Sequence, residues 1–234
     1  MTERTKRGFL IVPEEEATVK EYRFVYRDFD GREIAIEERR DYYKDGERVA
    51  IRRDGKRRIV DKTFRRFHKI DGTWIPSSEI DPAVKPIWTE RPPYNADRIP
   101  QARTVWIVEG EKSADRLSEL FDAADKANPG ARVATTLGGS SDANLWANWT
   151  WALEDKKVVV CADADPPGEL ALWETIRALA RPCGILRFRE RPDGAPAPNS
   201  YDVENYIDDA IREGLDPLAS LEARIVDSTS ETNQ

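Results

Sequence analysis

The hydrophobic rhythm of this chain changes partway along, from short alternating runs to continuous apolar runs separated by helical stretches. From Tyr22 to Ile75 the alternating runs are divided by Asp-Gly pairs: Asp30-Gly31, Asp45-Gly46, Asp54-Gly55 and Asp71-Gly72. Asp-Gly suits two-residue hairpin turns, because both central positions need a positive φ that Gly takes freely and Asp tolerates. In Tyr22, Phe24 and Tyr26 a period of two puts three aromatic rings on one face, opposite Arg23, Val25 and Arg27. The pattern predicts an N-terminal extension over 1–20 and a small antiparallel β-rich lobe over 21–75.

Pro76, Pro82, Pro86, Pro92, Pro93 and Pro100 deny regular helix or central strand, so 76–103 reads as an extended connector between lobes. After Arg103 the pattern predicts strands over Thr104–Val108, Arg132–Thr135, Lys157–Cys161 and Gly184–Phe188. Between them Leu117, Leu120 and Phe121, then Leu172, Ile176 and Leu179, recur at helical spacing. Strands that are apolar on both faces and separated by helices imply a parallel sheet with right-handed crossovers. The expected fold is therefore an α/β domain over 104–226, a parallel sheet flanked by helices, with a polar, disordered tail over 227–234.

Composition narrows the setting. Hydrophobic residues make up 39% and charged residues 35%, a polar balance that still supports a folded core. No run approaches the roughly 20 apolar residues that span a bilayer, and MTERTKRGFLIVPEEE lacks the apolar core of a secretion signal, so a cytoplasmic protein without a membrane partner is expected. Cys161, Cys183 and His68 are too few for a zinc ribbon, and the thiols are expected to pack as small apolar groups. The net charge of −7 is unevenly spread: from Arg39 to Lys69, thirteen Lys/Arg stand against five Asp/Glu, an excess of eight that leaves the remainder at −15.

The acids gather where an open α/β sheet binds ligands, beyond the carboxyl ends of its strands. TVWIV runs into Glu109 and Gly110, and KVVVC runs into Ala162, Asp163, Ala164 and Asp165. Alternation points Asp163 and Asp165 the same way, so if the two strands are neighbours three carboxylates meet. Such a cluster calls for a cation, and Mg²⁺, or Mn²⁺, suits a few carboxylates and phosphate oxygens. A single acid between strand and helix more often caps the helix, and that is the competing reading of Glu109 taken alone. Asp-x-Asp after an apolar strand also occurs in phosphatases of the haloacid dehalogenase type, but Pro167 stands where those enzymes usually carry Thr.

The series IVEGEKSADRL, ATTLGGS, VVVCADADPPGELA and YDVENYI resembles the topoisomerase-primase (TOPRIM) domain, most like those of bacterial DNA primases and of phage or plasmid primase-helicases. The likeness covers roughly 103–211; RPPYNADRIPQARTVWIVEGEK also looks like the segment before TOPRIM in the phage proteins. It implies that Glu109 is the catalytic acid/base or metal-organising group and that Asp163 and Asp165 are the metal pair, with Asp202 as the acid of the last motif. Gly138, Gly139 and Ser140 match the small-residue loop whose backbone N–H groups could meet phosphate, and Gly168 the glycine that lets the next helix approach; Lys112 could substitute as a phosphate contact, the alternative being an exposed helical Lys. Two positions depart from the family: Ser113 replaces an acid, and Tyr201 replaces the Lys before the last-motif Asp.

In the basic lobe Arg52, Arg53, Lys56, Arg57, Arg58, Arg65 and Arg66 interleave with Tyr42, Tyr43, Phe64 and Phe67, which suits phosphate contacts with bases stacked alongside. The expectation is a Mg²⁺-dependent primase-like subunit that takes nucleotide triphosphates and single-stranded DNA in a bacterial or phage-infected cell, with a separate replicative helicase as partner. Two alternatives stay open: a TOPRIM nuclease that cleaves phosphodiesters, and an inactive TOPRIM subunit that binds nucleic acid or regulates replication.

Overall fold

A computed structural model describes residues 3–5, 8–52, 59–83, 86 and 88–231. Two compact units divide the chain, Met1–Tyr26 with Glu33–Pro86, and Arg27–Arg32 with Ile87–Gln234. In the first unit the strands are β1 (Ile11–Pro13), β2 (Thr18–Arg27), β3 (Glu33–Lys44), β4 (Glu47–Arg48), β5 (Ala50–Arg52), β6 (Ile59–Val60), β7 (Lys62–Ile70) and β8 (Thr73–Pro76). One sheet has the order β2-β3-β7-β8 with β4 paired to β3, and a smaller sheet has the order β1-β5-β6.

Local sequence explains the turns. At Asp45-Gly46 and Asp71-Gly72 both residues take positive φ, which reverses the chain into β4 and β8. Asp30-Gly31 behaves differently: only Gly31 is left-handed, and the Asp28 carboxylate accepts from the Asp30 and Arg32 amides to shape the wider turn. Asp54-Gly55 lies outside the described residues. Phe24 and Tyr26 are buried while Tyr22 is half-buried against Phe24, so the aromatic face predicted from the period of two is the inward one. The sequence reading of 1–20 as an extension is corrected by β1, which pairs in parallel with β5 and places Val12 in a core with Tyr42, Val49 and Ile51.

In the second unit the chain forms β9 (Thr104–Ile107), α1 (Glu111–Ala124), β10 (Arg132–Thr135), β11 (Lys157–Ala162), α2 (Pro166–Leu179), β12 (Gly184–Arg187), α3 (Val203–Arg212), α4 (Pro217–Glu222), β13 (Val226–Asp227) and α5 (Ser228–Glu231). The sheet order is β10-β9-β11-β12-β13, parallel except for β13. Val105 and Ile107 join Val158, Val160, Ile185, Leu172 and Trp146 in one core, while Trp106 packs on Phe121 of α1, 5.5 Å between ring centres. Burial on both faces is why these strands read as unbroken apolar runs; each such side chain stabilises the fold by about 1.5–3 kcal/mol.

The Pro-rich connector is more structured than composition suggests. Pro76 ends β8, and short 3₁₀ helices run through Trp88–Glu90 and Ala96–Gln101. Tyr94 is held on β10 by its amide on the Thr136 carbonyl and its carbonyl under the Thr135 hydroxyl, contacts that no local pattern reveals. A longer 3₁₀ segment, Ser140–Leu153, packs its Trp146 into the core. The expectation of a disordered tail is corrected over its described part: Ser228 is buried, accepts a hydrogen bond from the Cys183 amide and donates its own amide to the Cys183 carbonyl. Both cysteines are free and buried. Among the described residues no helix is long and apolar enough to cross a membrane.

Candidate active site

The parallel pairing of β9 with β11 sets Ile107 opposite Val160, so Glu109 and Asp163 leave the same end of neighbouring strands. Their carboxyl groups are hydrogen-bonded to one another. Burial first, then the negative charges of Glu109 and Asp202, the Glu109 hydrogen bond and the charge of Asp165 push the Asp163 carboxyl up to about 9. Close carboxylates raise one another's proton affinity, and the Asp163 carboxyl favours its protonated form at neutral pH.

The two other acids do local work as well. Asp165 caps α2: its Oδ1 accepts from the Gly168 amide at 2.8 Å and its Oδ2 from the Ser200 hydroxyl at 2.9 Å. Asp202 caps α3 in a reciprocal box with Asn205, its Oδ1 accepting from the Asn205 amide at 2.9 Å. Burial raises the Asp202 carboxyl, opposed by that amide bond and by the charge of Lys112. A backbone clip brings Asp202 to the cluster: the Ala164 amide donates to the Tyr201 carbonyl at 2.8 Å, and the Ser200 amide donates to the Ala164 carbonyl at 3.1 Å. Glu109 does not cap a helix; Gly110 takes the N-cap position of α1.

Gly168 packs against the Asp163 backbone, where no side chain fits. Gly138 and Gly139, at φ +95° and +144°, carry the chain from β10 into the 3₁₀ segment, and Gly139 and Glu109 line one small cavity. The side chain of Ser140 lies outside the described residues. Lys112 is half-buried and pairs with Glu204 at 3.5 Å, as Arg116 pairs with Asp208 at 2.7 Å, tying α1 to α3.

Some of the site had no sequence forewarning. Arg187 closes β12 beside Ala162, and its guanidinium grips both oxygens of Glu169 at 2.9–3.1 Å while stacking over Trp173. Burial would raise the Glu169 carboxyl, yet Arg187 and the Trp173 indole N–H hold it below its ordinary value. Thr136 fixes the Glu109 turn, its hydroxyl donating to the Glu109 carbonyl and accepting from the Gly138 amide. An arginine ending an apolar strand, in GILRF, was the available signal for Arg187.

The donor set of Glu109, Asp163, Asp165 and Asp202 is all hard oxygen, which fits Mg²⁺ or Mn²⁺ in chemical type. Among the described residues no three of these side chains stand as a ready-made ligand group. The structure joins Glu109 to Asp163, and turns Asp165 and Asp202 toward the helix ends that they cap.

Of the residues expected at a basic surface, Arg52 pairs with Glu3 at 2.7 Å, Arg65 stacks over Phe67 opposite Glu38, and Arg66 donates to the buried Glu37 at 2.8 Å. Phe64 is exposed, and Tyr42 belongs to the core. Arg53, Lys56, Arg57 and Arg58 lie outside the described residues.

No family model matches the chain, and no curated protein matches it. Among solved structures it is similar to the primase fragment of the bacteriophage T7 primase-helicase protein, at 15% identity and a TM-score of 0.49, over 94% of this chain and 64% of that one. A second similar structure is bacteriophage T7 lagging-strand DNA polymerase interacting with primase domains of two gp4 subunits bound to an RNA/DNA hybrid and dTTP, at 15% identity and a TM-score of 0.46, over 87% of this chain and 78% of that one. The functional reading rests on the residues of this chain.

Proposed function

We propose that this chain is a Mg²⁺-dependent nucleic-acid enzyme of the DNA primase kind, which joins ribonucleotides on a single-stranded DNA template. The observation that carries the reading is the Glu109–Asp163 carboxyl pair at the ends of adjacent parallel strands, within the field of Asp165 and Asp202. Asp163, Asp165, Glu109 and Asp202 would hold the metal, which when bound supplies charge neutralisation for a transferring phosphoryl group. Glu109 would accept the proton of the attacking hydroxyl. In the loop after β10, Gly139 at φ +144° would offer its backbone N–H to phosphate, while the Gly138 amide is held by the Thr136 hydroxyl. The basic lobe contributes template phosphate contacts, and nucleotide triphosphates are the second substrate.

A primer-synthesis assay on single-stranded DNA with ribonucleotides and Mg²⁺ tests this. Parent protein is expected to give product and Asp163→Ala none; equal product from both eliminates the assignment. A second reading, phosphodiester cleavage, is favoured by Tyr201, whose hydroxyl is given to Asp209 at 2.7 Å and which brings no cation to the site. Metal-dependent cleavage without added nucleotides distinguishes it.

A further inference from the structure

Beside the acid pair lies an open cleft of about 350 Å³ whose lining includes Asp163, Asp165, Glu169, Arg187 and Arg189, with Ala164, Pro166 and Ala197 as apolar margin. That volume falls in the range of small-molecule sites, about 300–1,000 Å³. The two arginines are not equivalent. Arg187 is nearly buried and spends its guanidinium on both oxygens of Glu169, a bidentate pair that neutralises it. Arg189 is exposed, lines the same cleft and forms no ion pair among the described residues, though its charge helps to hold the Glu169 carboxyl low.

We propose that Arg189 is the cation that anchors the polyphosphate tail of a nucleotide in this cleft, and that Glu169 withholds Arg187 from that role. The inference deepens the reading above and shares its site. Three features support it. Carboxylates and an exposed guanidinium lining one cleft give a phosphate chain two places of opposite character, one reached through a divalent cation and one directly. Of the two cations that line the cleft, Arg187 is bound to Glu169, which leaves the exposed Arg189 for a ligand anion. Ala164, Pro166 and Ala197, none of them buried, give the cleft an apolar margin beside these charges against which a sugar can lie.

Isothermal titration of the full chain with inorganic tripolyphosphate in excess Mg²⁺ tests this, since the probe has neither base nor sugar and cannot be polymerised. The parent is expected to bind, Arg189→Ala to bind at least tenfold more weakly, and Arg189→Lys to recover part of the loss. Lys157→Ala, an exposed cation at the start of β11, leaves binding unchanged. Glu169→Gln releases Arg187 and strengthens binding. Parental affinity in Arg189→Ala, or absence of binding by the parent, overturns the proposal. So does a loss confined to a single-stranded oligonucleotide, which would assign Arg189 to the template. A correctly folded Glu169→Gln variant with unchanged or weaker binding overturns the role given to Glu169. Primer synthesis that survives in the parent while these titrations fail would leave the reading of the acids standing and remove only Arg189 from it.

Discussion

Gly168 meets Asp163 backbone to backbone: a Cβ on Gly168 would stand 2.6 Å from the Asp163 carbonyl oxygen and 3.0 Å from its amide nitrogen. The helix that Asp165 caps is thereby seated on the residue that carries the central carboxyl. Gly168→Ala is expected to cost about 1–3 kcal/mol, because neither backbone can yield as a side chain would. Urea unfolding of the variant checks this; parental stability would mean that α2 is less tightly seated.

The Glu109–Asp163 pair is a destabilising feature kept for its chemistry. Asp163→Asn removes a carboxyl that burial and its acidic neighbours push up to about 9, and is expected to raise stability at neutral pH by on the order of 1–2 kcal/mol. Millimolar Mg²⁺ should raise the melting temperature of the parent more than that of the variant. Thermal melts of both proteins, with and without metal, read the two effects together.

Tyr94 donates to the Asp115 carboxylate at 2.7 Å, linking the connector to α1. Burial raises the Asp115 carboxyl, while the Tyr94 hydroxyl pulls it down. Because Asp115 titrates higher folded than unfolded, the folded state is favoured most at low pH and loses that advantage as pH rises through the folded value. Tyr94→Phe removes the bond that limits this loss, so its cost, about 1.5–3 kcal/mol at pH 7, should shrink as the pH falls toward the range where Asp115 protonates. A pH series of unfolding curves for parent and variant supplies the check.

Arg66 and Arg65 are neighbours in sequence with different duties. Arg66 serves Glu37, which is 3% exposed, so Arg66→Ala is expected to destabilise the first unit by about 1–3 kcal/mol. Arg65 is exposed over Phe67, and Arg65→Ala should leave stability near the parental value while weakening single-stranded DNA binding at low salt. Unfolding and salt-dependent binding, measured on both variants, separate the two roles.

The sequence carried the parallel sheet plainly, because strands such as Val158–Cys161 are buried on both faces and cannot hide their apolar run. It also carried the turns at Asp45 and Asp71, whose chemistry is local. Long-range pairings were invisible: β1 joins β5 across some forty residues, Tyr94 docks on β10, and Ser228 is buried by Cys183. Within the site, the strand ends announced Glu109 and Asp163. The capping by Asp165 and Asp202 depends on where α2 and α3 begin, and the Arg187–Glu169 grip joins residues eighteen apart on different elements.

The paired carboxyls at the ends of β9 and β11 are proposed to hold a divalent cation. Anomalous diffraction from crystals of the parent soaked in Mn²⁺ tests it most directly. A peak is expected within ligand distance of both Glu109 and Asp163, with none there in Asp163→Ala. Saturating Mn²⁺ that leaves the parent's carboxyl pair without a peak would contradict the account.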